Sequence, residues 1–253
     1  MTTTKGFTLI ELLVVIVIFG GIMAALMVAF LISESSYHTA DSYVQVQQEA
    51  RRAFDAMVKE LREAGWDATN KPTVPGCAGC GATGDRVWIT NAGTYVLNNT
   101  AGNRIDFQVA LGYDLSTTVT GCPIAAVCWG AQNPLNPAQP NQANWSVRYW
   151  IDTSIPPTFP RLVRDVFDQN GVVQDGAGGT ASLRRILANG VDATGITTFT
   201  YPYLPGTITP AKTVKITLGI QEQAQVTGGK RTLSIGVAPM TPNLETLVKL
   251  RNN

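Results

Sequence analysis

The chain has one histidine, His38, among 253 residues. A Ser, His and Asp triad would have to be built around it, yet it follows a long apolar run, far from any pocket in the later part of the chain. A solvated surface residue is the simpler account. No glycine loop that would cradle phosphate and no helical zinc motif is present. No enzyme activity, cofactor or metal site is therefore expected. Net charge is equally sparing: 19 Lys and Arg against 18 Asp and Glu leave +1. Bulk attraction to nucleic acid or acidic lipid is excluded on that ground. Proline is absent before Pro72, so nothing in the first quarter of the chain forces a helix to break.

What is present begins with a long charge-free segment. The 21 residues from Leu12 to Ile32 carry no charged side chain, enough for a helix to cross about 30 Å of hydrocarbon. Lys5 precedes the run, whereas Glu34, Asp41 and Glu49 follow before Arg51. The positive-inside tendency then keeps the first residues in the cytoplasm and exports the rest. "MAALMVA" at 23–29 offers small residues to a signal peptidase, but the apolar run exceeds the ~7–15 residues of a secretory leader core.

Within "KGFTLIELL", residues 5–13, stands one carboxylate, Glu11. A charge in a bilayer costs on the order of 2.5–3.5 kcal/mol, so it is usually paired or functional. Snorkelling to the interface is the bland alternative. "MTTTKG" followed by "FTLIELLVVIVIFGGI" resembles the class III leader of type IV prepilins and pseudopilins. The resemblance implies cleavage after Gly6 by a prepilin peptidase and methylation of the new amine on Phe7. That amine lies four residues, about 6 Å, from Glu11 along one helix. A neighbouring chain shifted along the axis would bring its own Phe7 amine beside Glu11, making the acid an assembly contact that exists only after cleavage.

The helical signal continues beyond the span. Tyr43, Val46, Ala50, Ala53 or Phe54, Met57 and Leu61 recur at steps of three and four, and Gly65 marks a stop. The reading is one helix from Phe7 to Ala64, about 87 Å long, whose second half lays its apolar stripe on a globular domain; a dimeric coiled coil is the other outcome. Gly20 and Gly21 weaken the helix within the span by about 1 kcal/mol each.

From residue 66 the pattern is of short β-runs between turns: "RVWIT" at 86, "TYVLN" at 94, "RIDFQVAL" at 104, "SVRYWID" at 146, "RLVRDVF" at 161, "KTVKITLGI" at 212 and "KRTLSIGVA" at 230. Alternation of Ile105, Phe107, Val109 and Leu111 predicts one buried and one exposed face. The fold class is α+β, a long helix packed on an antiparallel sheet domain. The segments are 1–6 leader, 7–32 membrane half-helix, 33–65 amphipathic half-helix and 66–253 exported β-rich domain. "WGAQNPLNPAQPNQANW" at 129–145 and "QDGAGGTAS" at 174–182 read as surface loops.

"QQEARRAFDAMVKELREAGWDA" is similar to the helix end of PilW-type minor pilins and of J-type pseudopilins of type II secretion. "ILANGVDATGITTFTY" and "LETLVKLRNN" are similar to later segments of those families. The resemblance implies a minor pilin of a type IV pilus, priming or capping the filament. Its partners would be prepilin peptidase, other major and minor pilins, an inner-membrane assembly platform and membrane lipid. It implies storage in the inner membrane with a periplasmic domain, then display on the cell surface. The alternatives are a J-type pseudopilin, or a tip adhesin or DNA-binding component using the 129–145 loop with Trp129, Trp145, Tyr149 and Trp150.

Cys77 and Cys80, in "CAGC", and Cys122 and Cys128, in "CPIAAVC", complete the candidates. A zinc site needs such pairs, but outside the cytoplasm thiols are oxidised, so disulfides are expected. Local pairs would stabilise by about 2 kcal/mol for the shortest loop and crossed pairs by about 4 kcal/mol; the sequence leans to local pairs without choosing. Asp165, Asp168, Asn170 and Asp175 loosely resemble an oxygen-rich calcium loop, while Asn170 and Gly171 also read as a hairpin turn. The basic pairs Arg51 with Arg52, Arg184 with Arg185, and Lys230 with Arg231 would suit a nucleic-acid face. Acidic residues interleave with the first pair, and a solvated face is expected.

Overall fold

In the computed structural model, residues 8–65, 86–91, 94–95, 101–133, 138–153, 160–174, 185–191, 198–200, 213–226, 229–235 and 244–249 are described. Among the described residues one helix, α1 (Leu9–Glu63), precedes fourteen strands, giving an α+β architecture. The chain divides into two compact units, one of Met1–Gln45 with Glu222–Leu233, the other of Val46–Gln221 with Ser234–Asn253.

In the first unit the helix is long and apolar enough to cross a membrane. Every side chain from Leu9 to Ile32 is exposed, so nothing among the described residues covers it. In the second unit the helix buries Val46, Ala50, Ala53, Phe54, Met57 and Leu61. Each large apolar side chain buried there contributes about 1.5–3 kcal/mol. Tyr43, expected on this stripe, is 36% exposed; the buried face starts at Val46. The helix ends because its chain turns to pair with strands: Ala64 bridges to Val109, and the Gly65 carbonyl accepts the Arg86 amide.

The strands are β1 (Val87–Asn91), β2 (Thr94–Tyr95), β3 (Arg104–Phe107), β4 (Val109–Tyr113), β5 (Val127–Gln132), β6 (Asn141–Ala143), β7 (Ser146–Asp152), β8 (Arg161–Phe167), β9 (Arg185–Ala188), β10 (Thr198–Thr200), β11 (Thr213–Leu218), β12 (Ile220–Val226), β13 (Gly229–Ile235) and β14 (Leu244–Lys249). They form sheets of order β2-β1-β3-β7-β8-β9, β10-β11-β14, β4-β5-β6 and β12-β13. Pairing in the first three is antiparallel.

One face of the six-stranded sheet carries Val87, Ile89, Ile105, Phe107, Val147, Tyr149, Leu162 and Val166, in one core with the helix stripe. Phe107 and Tyr149 rings lie 5.4 Å apart. The chain approaches itself closely at Gly102, which exchanges two backbone hydrogen bonds with Phe199. A Cβ there would stand 2.4 Å from Ile89 Cγ2 and 2.7 Å from the Thr90 carbonyl oxygen, so only glycine fits.

Two expectations are corrected. "RIDFQVAL" is not one strand: it breaks at Gln108 into β3 and β4, which join different sheets. Nor is its second face exposed, because Asp106 and Gln108 are buried. Trp88, Asp106, Arg148 and Asp165 stand in register across four strands, and Asp106 is held between the guanidinium groups of Arg104 and Arg148. Paired charge makes that burial possible. Burial pushes the Arg148 guanidinium below its ordinary range, partly offset by Asp106. The second correction is the 129–145 loop: residues 127–132 and 141–143 are paired strands, because cross-strand pairing outweighs the local turn composition.

Candidate assembly site on the amino-terminal helix

The first helical residue is Leu9, which makes Thr8 the N-cap and Glu11 the third residue of the first turn. The Thr8 amide donates to Glu11 Oε2 at 2.9 Å, and the Thr8 hydroxyl donates to the same oxygen at 3.0 Å. In return the Glu11 amide donates to Thr8 Oγ1 at 3.4 Å. The first backbone bond of the helix follows, from the Leu12 amide to the Thr8 carbonyl at 3.3 Å.

This reciprocal arrangement is a capping box. It satisfies backbone donors that no helical partner reaches and places a carboxylate at the positive end of the macrodipole. The expected partner of Glu11 is the amine of another chain, and the structure gives the carboxylate a partner in its own. The signal was present in Thr8-Leu9-Ile10-Glu11 ahead of an apolar run. Gly6 and Phe7, the expected cleavage and methylation positions, lie outside the described residues.

The carboxyl-terminal half of the helix is tied to the β domain by two acids. Glu60 accepts from Tyr149 Oη at 2.7 Å and from Arg164 Nε at 2.9 Å. Burial pushes the Tyr149 hydroxyl well above its ordinary value, and the neighbouring Glu60 charge adds to the effect. Glu49 Oε1 accepts from the Asn189 amide at 2.7 Å and from its Nδ2 at 2.9 Å. Both acids sit on helix turns adjoining the apolar stripe, so polar bonds border the hydrophobic contact.

The remaining candidates separate in space. Cys122 and Cys128 form a disulfide with Cα atoms 5.0 Å apart; Cys77 and Cys80 lie outside the described residues. The disulfide closes a loop in which Tyr113 Oη donates to the Ala125 carbonyl and the Ala125 amide donates to Asp114 Oδ1.

A calcium loop is not assembled. Asp165 is buried in β8, where it accepts from Trp150 Nε1. Asp168 turns its carboxylate onto the Asn170 and Val172 amides of a turn completed by Gly171 at φ 79°; Asp175 lies outside the described residues. Among the described residues no group of three or more His, Cys, Asp or Glu could hold a metal ion.

His38 is exposed on the helix, 3.9 Å from Glu34. The aromatic residues proposed for a binding loop are not displayed as a surface: Trp129 and Tyr149 are buried, and Trp145 and Trp150 are half-buried. Arg51, Arg52 and Arg185 are exposed. The Arg184, Lys230 and Arg231 side chains lie outside the described residues.

Comparison with curated proteins and with solved structures returned no match. A family model described as the prokaryotic N-terminal methylation motif matches residues 1–28. The match supports a class III leader of the type IV pilin kind, and such a motif implies processing by prepilin peptidase and assembly into a pilus or pseudopilus.

Proposed function

We propose that the chain is a minor pilin, a membrane-stored subunit that prepilin peptidase trims after Gly6 and methylates on Phe7. It enters a type IV pilus through its amino-terminal helix, with other pilins and an inner-membrane assembly platform, and primes or caps the filament. Before assembly its first residues face the cytoplasm and its β domain the periplasm; afterwards it is displayed at the cell surface. It acts by assembling and catalyses nothing itself.

One observation carries this reading. The methylation motif at residues 1–28 runs directly into a helix whose side chains from Leu9 to Ile32 are all exposed, and whose later turns are buried on a β domain. An apolar surface of that length is stable in lipid or against identical helices, and in water it is not. A J-type pseudopilin would share these features; neighbouring genes for pilus retraction or for an outer-membrane secretion channel separate the two.

Intact mass and amino-terminal analysis of the protein from membranes or sheared filaments tests the reading. The chain is expected to begin at methylated Phe7. A start at Met1, or past residue 25, overturns it. Glu11→Gln tests the assembly contact with little disturbance of the helix, because glutamine serves equally in a capping box but brings no charge to a neighbour's amine. Filament incorporation should fall sharply; unchanged incorporation removes the ion pair from the mechanism.

A further inference from the structure

Between the apolar run and the buried stripe lie residues 33–45, "SESSYHTADSYVQ". Only Glu34, Ala40 and Gln45 among these thirteen are strong helix formers. The others are serine, threonine, aspartate, histidine, tyrosine and valine, which lose side-chain freedom in a helix or compete for its backbone. Residues 50–63, "ARRAFDAMVKELRE", hold eleven strong formers in fourteen.

Among the described residues, packing gives this composition little support. No side chain from 33 to 45 is buried. The half-buried positions, Ser35, Thr39 and Ser42, offer hydroxyls and almost no apolar area, while Tyr37 and Val44 are exposed. Lipid is expected to support the helix up to Ile32, and the core supports it from Val46. A helix of this length that neither lipid nor the described core covers is marginal in water.

The hydroxyls also act on the backbone. Ser35 Oγ and Ser36 Oγ both donate to the Ile32 carbonyl at 2.9 Å, and Thr39 Oγ1 donates to the Ser35 carbonyl at 2.8 Å. The Ser36 amide takes the same Ile32 oxygen as its helical acceptor, so three donors converge on two lone pairs. Such back-bonding weakens and bends helices. Opposing it are two local pairs, Gln45 Nε2 with Asp41 Oδ2 at 3.0 Å and His38 with Glu34, each worth little when exposed.

We propose that residues 33–45 are a hinge built into the helix. The segment is helical at rest but opens locally far more often than the packed turns after it. This follows from composition, burial and hydrogen bonding together with the membrane placement of the apolar run, and does not rest on the filament reading.

Hydrogen exchange on the full chain in lipid nanodiscs tests it. Amides of residues 37–45 should exchange about a hundredfold faster, or more, than those of residues 53–61. Substituting Ser35→Ala, Ser36→Ala and Thr39→Ala together should slow exchange of residues 37–45 roughly tenfold, with residues 53–61 unchanged as the control for folding. Equal protection of the two segments overturns the proposal. So does a triple variant whose residues 37–45 exchange at the original rate.

Discussion

Replacing Glu60 by alanine tests how the helix is fixed to its sheet. The substitution leaves the Tyr149 hydroxyl without its acceptor and Arg164, whose side chain is 13% exposed, without its bonded carboxylate. Breaking one half of a buried pair costs about 3–5 kcal/mol. Glu60 retains 26% of its side-chain exposure, so water screens part of the stranded charge and the lower end, about 3 kcal/mol, applies. For a domain of this size each kcal/mol moves the melting temperature by roughly 2–4 °C, which gives a fall of about 6–12 °C. Thermal unfolding of the detergent-solubilised chain, followed by fluorescence of its five tryptophans, measures this. Glu63→Ala, one turn further on and exposed, should stay within about 0.5 kcal/mol of the parent. If Glu60→Ala melts within a degree of the parent, the helix is held by its apolar stripe alone and the polar bonds contribute nothing net.

Three further outcomes follow from the same geometry. Because folding raises the Tyr149 pKa above its ordinary value of 10.0, the folded state keeps a proton that the unfolded state releases. Stability is therefore full below pH 10 and falls above it by up to about 1.4 kcal/mol per pH unit; Tyr149→Phe should remove that slope in alkaline denaturation curves while costing about 1.5–3 kcal/mol at neutral pH. Asp106→Asn leaves two partly buried arginines facing a neutral amide, and should cost about 3–5 kcal/mol, read as loss of folded protein in limited proteolysis. Cys122→Ser with Cys128→Ser should lower stability by about 2 kcal/mol, since the closed loop is short, and adding reductant to the parent protein should reproduce the loss in the same thermal assay.

How much of the molecule was legible in the sequence depended on the reach of the forces involved. The helix needed only apolar spacing and the absence of proline, and its buried stripe of Val46, Ala50, Phe54, Met57 and Leu61 lies where the period of 3.6 places it. Strands β7 and β8 match their predicted spans because both are dense in β-branched and aromatic residues. Strands β5, β6, β9 and β10 lie outside the runs that the sequence marks as strands. In β5 and β6, Gly130, Gln142 and Asn141 have little intrinsic strand preference and owe their conformation to pairing between the two strands; β9 and β10 are only four and three residues long. The capping box at Thr8 and Glu11 is legible in the sequence, because it needs only a threonine and a glutamate three residues apart ahead of an apolar run.

The sequence by itself determined the order of parts: a long charge-free apolar helix, an amphipathic continuation, and an antiparallel β domain. It did so because helix periodicity, hydrophobicity and chain-breaking residues act over a few neighbours. Only the tertiary structure decided that Asp106 would be buried between two arginines, that Glu60 would join Tyr149 and Arg164, and that Asp165 and Asp168 would face separate partners. Those outcomes depend on which strands become neighbours, and register across a sheet is fixed by the whole core rather than by any one stretch.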